Sequence, residues 1–311
     1  MSRSIRIPRV QNRELHGILL LDKPIGLSSN KALQAVRSLL RASKGGHTGA
    51  LDPLATGLLP LCFGEGTKLA GNLLGSRKAY VAECQLGVTT TTADREGEIV
   101  AQRVVPELSG AVIEAALNKL RGRIVQVPPV YSALKQDGEP LYLKARRGEA
   151  VEVPAREVEV YRLDLLDRAD DTLRLYVECG SGTYVRSLAV DLGEDLGCGA
   201  HLKALRRLWV EPFRDPVMVT LEQLQQAAEQ GDKALESLVL PLSAGVADLP
   251  ALHLDAEQSF AVSQGRQIPW PGEPGQGRCA AYAIDGRLQA LVEQDMEGRL
   301  RILRGFNLPI L

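Results

Sequence analysis

Two spacings of hydrophobic and polar residues run through the first two thirds of the chain. Residues 79–87 and 172–178 alternate between apolar and polar side chains, which predicts half-buried strands because successive side chains of a strand point to opposite faces. The apolar run at 17–21 predicts a short buried strand. Apolar residues at helical spacing predict helices over about 29–41 and 109–121, the second capped by a serine.

The middle of the chain continues this mixture of elements. A glycine-rich turn at 180–183 leads into a predicted helix that ends at Gly197, and a further helix is predicted near 200–208. A capping box formed by Thr220 and Gln223 predicts the start of another helix. Helices combined with strands that look antiparallel indicate an α+β domain rather than a parallel α/β one.

The pattern loosens between residues 238 and 250, where we place a domain boundary. Residues 1–245 form the predicted first domain and residues 246–311 the second. In the second domain, short alternating segments between 280 and 303 are separated by turns at Gly286 and Gly298. These segments predict a small β barrel or sheet.

Composition predicts an ordinary globular protein without a membrane segment. The chain has 311 residues with 45% hydrophobic content, enough for two domains and a sizeable core. No apolar run approaches the roughly 20 residues that a membrane helix requires, and the basic first ten residues lack the apolar block of a signal peptide. We therefore expect a cytoplasmic protein, and nothing in the sequence demands more than a monomer.

The cysteines and histidines predict neither disulfides nor a metal site. Five cysteines is an odd number, and their wide spacing excludes a C-x-x-C metal knuckle, so we expect them to be buried as small apolar residues. The four histidines are scattered along the chain. The dinucleotide, zinc-hydrolase and serine-hydrolase motifs are also absent from the sequence. We expect chemistry that uses no metal and no cofactor.

Charge is balanced overall but segregated locally. The formal net charge is −1. Basic residues nevertheless cluster in three places: Arg3, Arg6, Arg9 and Arg13; Lys144, Arg146 and Arg147; Lys203, Arg206, Arg207 and Arg214. Such clusters could form a basic face for a polyanion. Solvated helix faces and a flexible tail account for any single cluster about as well.

One loop holds the strongest candidate for chemistry. Asp52 is the single carboxylate in a segment, residues 45–57, that is otherwise nearly all small or apolar. Four glycines allow positive φ and close approach to a ligand, and Pro53 restricts Asp52 to extended backbone. The loop therefore presents Asp52 in a restricted orientation. An ordinary turn, in which aspartate and glycine commonly occur together, is an equally good explanation at this stage.

Four motifs together closely resemble the bacterial TruB-type tRNA pseudouridine synthases. They occur in the order and with the spacing of that family: LDKP at 21–24, GHTGALDPLATG at 46–57, PVYSALK at 129–135 and GTYVRSL at 182–188. The resemblance covers most of the chain. It implies a pseudouridine synthase catalytic domain, with a mixed, largely antiparallel sheet and flanking helices, followed by a small C-terminal PUA-like β barrel.

The resemblance also implies a reaction, a partner and site residues. Members convert the T-loop uridine at tRNA position 55 into pseudouridine without cofactor or metal. By similarity, Asp52 is the nucleophile, Arg186 pairs with it through a planar guanidinium that offers two hydrogen bonds, and Tyr80 stacks on the flipped uracil and takes the C5 proton. The remaining family roles are those of uridine-site residues (Lys23, His47, Tyr184, Leu205) and of an RNA-binding insertion near 128–152 (Lys135, Lys144, Arg146, Arg147).

Two other classes of function stay open at the level of sequence. In a non-catalytic RNA-binding or chaperone protein, the basic segments would bind RNA and Asp52 would be a turn residue. A nucleoside glycosidase would also place a carboxylate beside a sugar. Glycoside hydrolases usually need a second carboxylate, however, and none accompanies Asp52 within its motif.

Overall fold

The computed structural model describes residues 12–71, 77–132 and 153–308, together with 135, 136, 139, 140, 144, 147 and 149. Its strands are, in chain order: β1 Gly17–Lys23, β2 Gly45–His47, β3 Ala55–Phe63, β4 Lys78–Leu86, β5 Val88–Thr90, β6 Ile99–Gln102, β7 Gly122–Gln126, β8 Lys135–Gln136, β9 Glu139–Pro140, β10 Arg156–Ala169, β11 Thr172–Cys179, β12 Ala200–Val210, β13 Ala251–His253, β14 Cys279–Tyr282, β15 Leu288–Gln294 and β16 Leu300–Gly305. The α-helices are: α1 Ser29–Leu40, α2 Gly110–Lys119, α3 Val185–Asp195, α4 Leu221–Gln230, α5 Asp232–Glu236 and α6 Ala256–Ser263.

An eight-stranded mixed sheet organises the first part of the chain. Its order is β1-β3-β12-β4-β11-β10-β7, with β2 paired beside β3. Among the described strands of this sheet only β3 and β12 run parallel, and the other neighbours are antiparallel. The α+β prediction with a largely antiparallel sheet is confirmed.

Alternation along the strands divides the core between the two faces of this sheet. Leu19 and Leu21 of β1 face a cluster that includes apolar residues of α1, α2, α3 and α4. Ile18 and Leu20 face the other way, toward Leu288 of β15. Because side chains alternate, one buried strand serves both layers. The predicted caps of α2 and α4, Ser109 and the Thr220 capping box, are present.

The predicted helix near 200–208 is wrong, because these residues form β12. Leucine, alanine and arginine favour helices, but burial at Leu205, Arg207 and Trp209 follows the period of a strand. Irregularities in the pairing of β12 with β4, after Leu202 and after Arg207, interrupt that period. Hydrogen bonding to strands on both sides overrides the local helix preference.

The C-terminal strands form an open sheet in the order β13-β14-β15-β16. No pairing of β13 with β16 closes it among the residues described, so the predicted barrel is not confirmed. Leu288 and Phe306 of this sheet region share a cluster with Ile18 and Leu58. The predicted boundary at residue 245 stays a prediction.

Two further expectations concern the cysteines and the membrane. All five cysteines are buried and free, as the prediction of small apolar core residues requires. In the described ranges, no helix has both the length and the apolar character needed to cross a membrane.

Candidate active site

The Asp52 loop lies between β2 and β3 and is fixed to the start of α1. Ser29 Oγ accepts a hydrogen bond of 2.7 Å from the amide of Leu51 and donates one of 3.1 Å to the carbonyl of Leu51. Leu51 and Leu54 are buried on either side of Asp52. The Asp52 side chain itself is 39% exposed. Two buried leucines and a buried serine thus hold this carboxylate at the surface of a cavity.

We expect Ser29→Ala to loosen this loop. The substitution leaves the Leu51 amide and carbonyl buried without their partner, which costs about 1–3 kcal/mol. The free energy of unfolding, measured with urea, should fall by that amount, and turnover should fall with it. Ser237→Ala is the matched control, because Ser237 is exposed and its hydroxyl donates to Ala234 O of its own helical turn at 2.7 Å. Unchanged stability and turnover in Ser29→Ala would show that the loop holds its conformation without this serine.

Arg186, near the start of α3, contacts Asp52 directly. Its Nε lies 2.9 Å from Asp52 Oδ2, and its side chain is only 4% exposed. Nη1 donates to Thr92 O at 3.0 Å and Nη2 to Tyr131 O at 2.9 Å. Arg186 therefore does not form the expected pair of hydrogen bonds with Asp52. Backbone carbonyls occupy the other two nitrogens and fix the plane of the guanidinium.

A second carboxylate, Asp94, lies behind Arg186. Its Oδ2 is 3.6 Å from Arg186 Nη1. Its Oδ1 accepts hydrogen bonds from Thr92 Oγ1 at 2.6 Å and from the amide of Glu96 at 3.0 Å. Asp94 is 3% exposed. Arg186 therefore carries one positive charge between two carboxylates, of which only Asp52 faces the cavity.

Burial and nearby charges act against each other on Asp52. Desolvation raises the pKa of Asp52, while the Arg186 guanidinium opposes that rise and the Asp94 carboxylate adds to it. Lys23 also favours the carboxylate form. Arg186 is thus the group that most strongly favours the ionised form of Asp52 against its desolvation.

Lys23 contacts backbone carbonyls of the Asp52 loop and of the segment that precedes α1. It is the last residue of β1, so the strand includes the first two residues of the predicted turn at 22–24. Its fully buried Nζ donates to Leu27 O at 2.6 Å and Pro24 O at 2.9 Å, and lies 3.5 Å from Pro53 O. Burial lowers the pKa of Lys23 to about 8, while Asp52 opposes that shift. Lys23 does not line the cavity.

Tyr80 and Arg207 face each other across β4 and β12. They are direct partners in the strand register, and Tyr80 is 8% and Arg207 1% exposed. The Arg207 charge favours the ionised form of the Tyr80 hydroxyl and so opposes the effect of burial on its pKa. Burial raises the pKa of Tyr80 to about 12, so its hydroxyl is neutral near pH 7.

A cavity of about 300 Å³ opens above Asp52. Its walls include Asp52, Tyr80, Arg186 and two further predicted residues, Tyr184 and Leu205. The remaining lining residues are: Gly49, Ala50, Leu51, Lys78, Ser132, Arg156, Gly180, Ser181, Gly182, Thr183, Val185 and Arg207. Five of the seven catalytic and uridine-site residues predicted from the sequence thus come together here.

His47 lies outside the lining of this cavity, at the end of β2. Burial and the charge of Arg207 lower the pKa of His47, which favours a neutral ring. Its Nδ1 is buried without a hydrogen-bond partner among the described residues.

The predicted RNA-binding insertion is described only in part. Arg147 contacts Glu139 through Nη1 at 2.6 Å and Nη2 at 2.8 Å, and Glu149 through Nε at 2.6 Å. Two carboxylates therefore balance its charge. Lys144 is partly buried. Arg146 and the side chain of Lys135 lie outside the described residues.

Four residues of this site were missed by reasoning from the sequence. Asp94, Lys78, Arg156 and Arg207 carry charge at or beside the cavity. Arg207 was noted only as a member of a basic cluster, and Asp94 lies in a polar segment that suggests nothing beyond a turn. In the described ranges, no group of three or more histidine, cysteine, aspartate or glutamate side chains could hold a metal ion.

Solved structures share this fold. The chain matches one from a Cbf5-Nop10-Gar1 complex with a TM-score of 0.73 and 25% identity, over 94% of this chain and 84% of that one. It matches a chain in a structure of an H/ACA RNP bound to a substrate RNA containing 2′-deoxyuridine with a TM-score of 0.73 and 22% identity, over 94% and 85% of the two chains. The second likeness concerns the fold alone.

Sequence comparison gives the class and then the family. The model of the TruB family pseudouridylate synthase N-terminal domain matches residues 37–185, and that of the tRNA pseudouridylate synthase B C-terminal domain matches residues 186–247. The protein is a pseudouridine synthase, which is an isomerase. Within this class, the chain belongs to the TruB family, as the motifs predicted.

Relatives of this family match nearly the whole chain. A tRNA pseudouridine synthase B of Xanthomonas campestris pv. campestris (strain 8004) is 59% identical over 300 residues, covering 96% of this chain and 97% of its own. That of Pseudomonas fluorescens (strain Pf0-1) is 49% identical over 289 residues, covering 93% and 94%.

Proposed function

We propose that this enzyme converts the T-loop uridine at tRNA position 55 into pseudouridine, with Asp52 as the nucleophile. The observation that carries the proposal is the Asp52 carboxylate facing a small cavity, with Arg186 Nε 2.9 Å from Oδ2. The tRNA substrate follows from relatives named tRNA pseudouridine synthase B, which match nearly the whole chain.

The reaction rearranges bonds without oxidation or reduction. The bond between C1′ of the ribose and N1 of uracil breaks, the detached ring turns within the cavity, and C1′ bonds to C5. Asp52 can act by attack on the sugar, by attack on the base, or by assisting a glycal intermediate. All three routes require the ionised carboxylate, which the Arg186 charge favours.

Each neighbouring residue has a proposed part in this reaction. Tyr80 stacks on the uracil and takes the C5 proton, whereas Tyr184 and Leu205 form walls that retain the detached ring. Arg186 orients Asp52. Lys23 supports the loop through its bonds to backbone carbonyls rather than through the substrate.

The target base must leave its stack before Asp52 can contact the ribose. Flipping costs a few kcal/mol, and an aromatic ring in the vacated space contributes about 1–3 kcal/mol of stacking. We propose that His47 supplies this ring. Its position outside the cavity suits a group that contacts the remaining RNA stack, and the lowered pKa favours an uncharged, more easily desolvated ring.

Phosphate contacts supply most of the proposed affinity, through the insertion near 128–152 and the PUA-like region at 246–311. Such contacts position the RNA but carry little sequence information. We expect an enzyme of this kind to recognise the shape of the T arm, as a monomer.

Binding of tRNA should weaken steeply with salt. Neutralising a few phosphates releases counterions, so the Kd should rise at least about tenfold between roughly 50 and 200 mM salt. Filter binding or fluorescence anisotropy with the catalytically inactive Asp52→Asn variant measures this Kd without turnover. A Kd that stays constant over this range would exclude phosphate contacts as the main source of affinity.

An unmodified tRNA transcript tests the activity itself. After incubation with the enzyme, chemical derivatisation and primer extension should map pseudouridine to position 55, with no signal in a transcript that carries cytidine there. Pseudouridine at other positions only would refute the proposed target.

The same incubation distinguishes the other two classes of function. A glycosidase would release free uracil. A glycosidase is disfavoured because it would need a second carboxylate, and the neighbouring Asp94 is 3% exposed and accepts hydrogen bonds from Thr92 and Glu96. A purely RNA-binding or chaperone protein would release no uracil and form no pseudouridine, although chaperone activity can coexist with isomerisation.

A further inference from the structure

Arg207 is a buried arginine without a carboxylate partner in the described part of the chain. Its side chain belongs to β12 and is among the largest fully buried side chains, at 1% exposure. None of the ion pairs between described residues includes Arg207. A buried charge is costly unless other groups compensate it. The groups around the Arg207 guanidinium therefore indicate its role.

Arg207 joins three segments of the active site. Nε donates to Leu58 O of β3 at 2.6 Å, and Nη2 donates to Gly49 O of the Asp52 loop at 3.2 Å. Across the sheet, Arg207 is the register partner of Tyr80 on β4, and both side chains line the same cavity. Carbonyl dipoles thus fix the guanidinium on two sides, while its neighbour across the sheet is a group that can become an anion.

Two glycines of the Asp52 motif leave room for Arg207. Gly57 has φ +94°, and a Cβ there would lie 2.1 Å from the backbone oxygen of Arg207. Gly49 has φ +72°, and a Cβ there would lie 3.4 Å from Arg207 Nη1. The motif that presents Asp52 therefore also forms the close packing around Arg207.

The resting state of Tyr80 makes this contact relevant to the chemistry. With a pKa of about 12, Tyr80 is a neutral phenol near pH 7 and cannot accept a proton on its oxygen without first losing its own. A phenolate would be strongly disfavoured in a buried site unless a cation were in contact with it. Arg207 is the cation that lies beside Tyr80 across the sheet, and its charge lowers the pKa of Tyr80 against the effect of burial.

We propose that Arg207 is a positioning residue that holds the Tyr80 hydroxyl in place and compensates the negative charge that Tyr80 carries when it removes the C5 proton. This inference rests on the proposed role of Tyr80 as the base. It assigns to Arg207 a task different from that of Arg186, which contacts Asp52.

The proton step balances as follows. Tyr80 loses its hydroxyl proton to solvent and becomes a phenolate paired with Arg207. After the C1′–C5 bond has formed, C5 carries both the sugar and its hydrogen, and the ring holds a C6=N1 double bond. The C5 hydrogen leaves as a proton to the phenolate oxygen, its bonding pair forms the C5=C6 double bond, and the second pair of the C6=N1 bond becomes a lone pair on N1. N1, freed from the sugar, takes up a proton from solvent. One proton is moved from C5 to N1 overall, and no oxidant or reductant is needed.

An isotope effect at C5 tests the proposal. Wild type, Arg207→Lys and Arg207→Gln are compared in single-turnover reactions on tRNA transcripts that carry hydrogen or deuterium at C5 of the uridines. We expect both variants to react at least about tenfold more slowly, because lysine cannot reproduce the guanidinium contacts that fix the charge beside Tyr80, and glutamine also removes the charge. The deuterium isotope effect should rise, since C5 proton removal becomes the slow step, while the Kd for tRNA changes less than threefold.

A second arm uses Tyr80→Phe, which removes the hydroxyl. If Arg207 acts through that hydroxyl, Arg207→Lys should slow the Tyr80→Phe enzyme by less than twofold. If Arg207→Lys lowers the rate of the Tyr80→Phe enzyme by the same factor as it lowers the wild-type rate, the proposal is overturned in favour of a packing role. An isotope effect that the Arg207 substitutions leave unchanged would overturn it in the same way. Failure of both Arg207 variants to fold, seen by circular dichroism, would also assign a purely structural role.

The Tyr80→Phe variant alone distinguishes a failure of the proposed role of Tyr80 from a failure of the proposed role of Arg207. A wild-type rate and isotope effect in this variant would remove Tyr80 as the base, and the role of Arg207 with it. A slow Tyr80→Phe enzyme, combined with Arg207 variants that behave as wild type, would leave the proposed function intact and overturn only the role of Arg207.

Discussion

Replacing Asp52 by asparagine should abolish pseudouridine formation while leaving the fold and tRNA binding almost unchanged. Asparagine keeps the size of the side chain but cannot attack as an anion. Loss of a nucleophile commonly costs on the order of 10⁴-fold or more in rate. Single-turnover assays on unmodified transcript measure the loss, and binding assays should give a Kd within about threefold of wild type, because phosphate contacts lie elsewhere.

A surface aspartate gives the matched control for this experiment. Asp195 forms an exposed ion pair with Lys119, 2.6 Å between Oδ1 and Nζ, and Asp195→Asn should retain full activity since exposed pairs contribute little. The Asp52 carboxylate also sits against the Arg186 charge, so Asp52→Asn should leave Arg186 with Asp94 alone. Near-normal turnover by Asp52→Asn would remove this residue from the mechanism.

The second large effect is expected for Arg186→Lys. Lysine keeps the positive charge, but one ammonium cannot at once contact Asp52 Oδ2 and donate to the carbonyls of Thr92 and Tyr131, as the guanidinium does. Losing charge-assisted hydrogen bonds costs about 1.5–3 kcal/mol, so the rate should fall about 10- to 150-fold. Stopped single-turnover reactions measure this rate, and Arg103→Lys, at an exposed pair with Glu194, is the control.

Removing the charge in Arg186→Met should also change the pH dependence. The pKa of Asp52 is raised by burial and held down by Arg186, so loss of the guanidinium should raise this pKa further. Below its pKa, Asp52 is protonated and inactive. The acid limb of the rate profile should therefore move to higher pH in Arg186→Met and stay near the wild-type position in Arg103→Lys. An unmoved acid limb would mean that Asp52 does not depend on Arg186 for its charge.

Much of the fold could be predicted from local pattern. The helix over 29–41, the alternating strands at 79–87 and 172–178 and the capping box at Thr220 appear where their spacing indicated. Local pattern failed at 200–208, because β12 has helix-favouring residues and takes its conformation from pairing with β3 and β4. Closure of a barrel in the C-terminal region could not be judged from strand count, since closure depends on how the edge strands meet.

Some residues of the candidate site could be found from local sequence, and others only from the tertiary structure. Asp52 was a candidate because of its glycine-rich loop, whereas Arg186 was a candidate only through the resemblance of the motif at 182–188 to the family. Asp94 and Arg207 had no such signal. Asp94 enters the site only because Arg186 lies between it and Asp52, and Arg207 only because the register of β4 and β12 sets it opposite Tyr80.

The sequence by itself determined the family, through its four motifs, and the restricted loop around Asp52. The loop follows from local sequence because glycine permits positive φ and proline restricts the residue before it. Only the tertiary structure decided which charges meet and in what protonation state. The pKa of Asp52 and that of Tyr80 are both raised by burial, and burial is a property of every layer packed around them. Strand register and helix packing, which bring together residues far apart in the chain, set these surroundings.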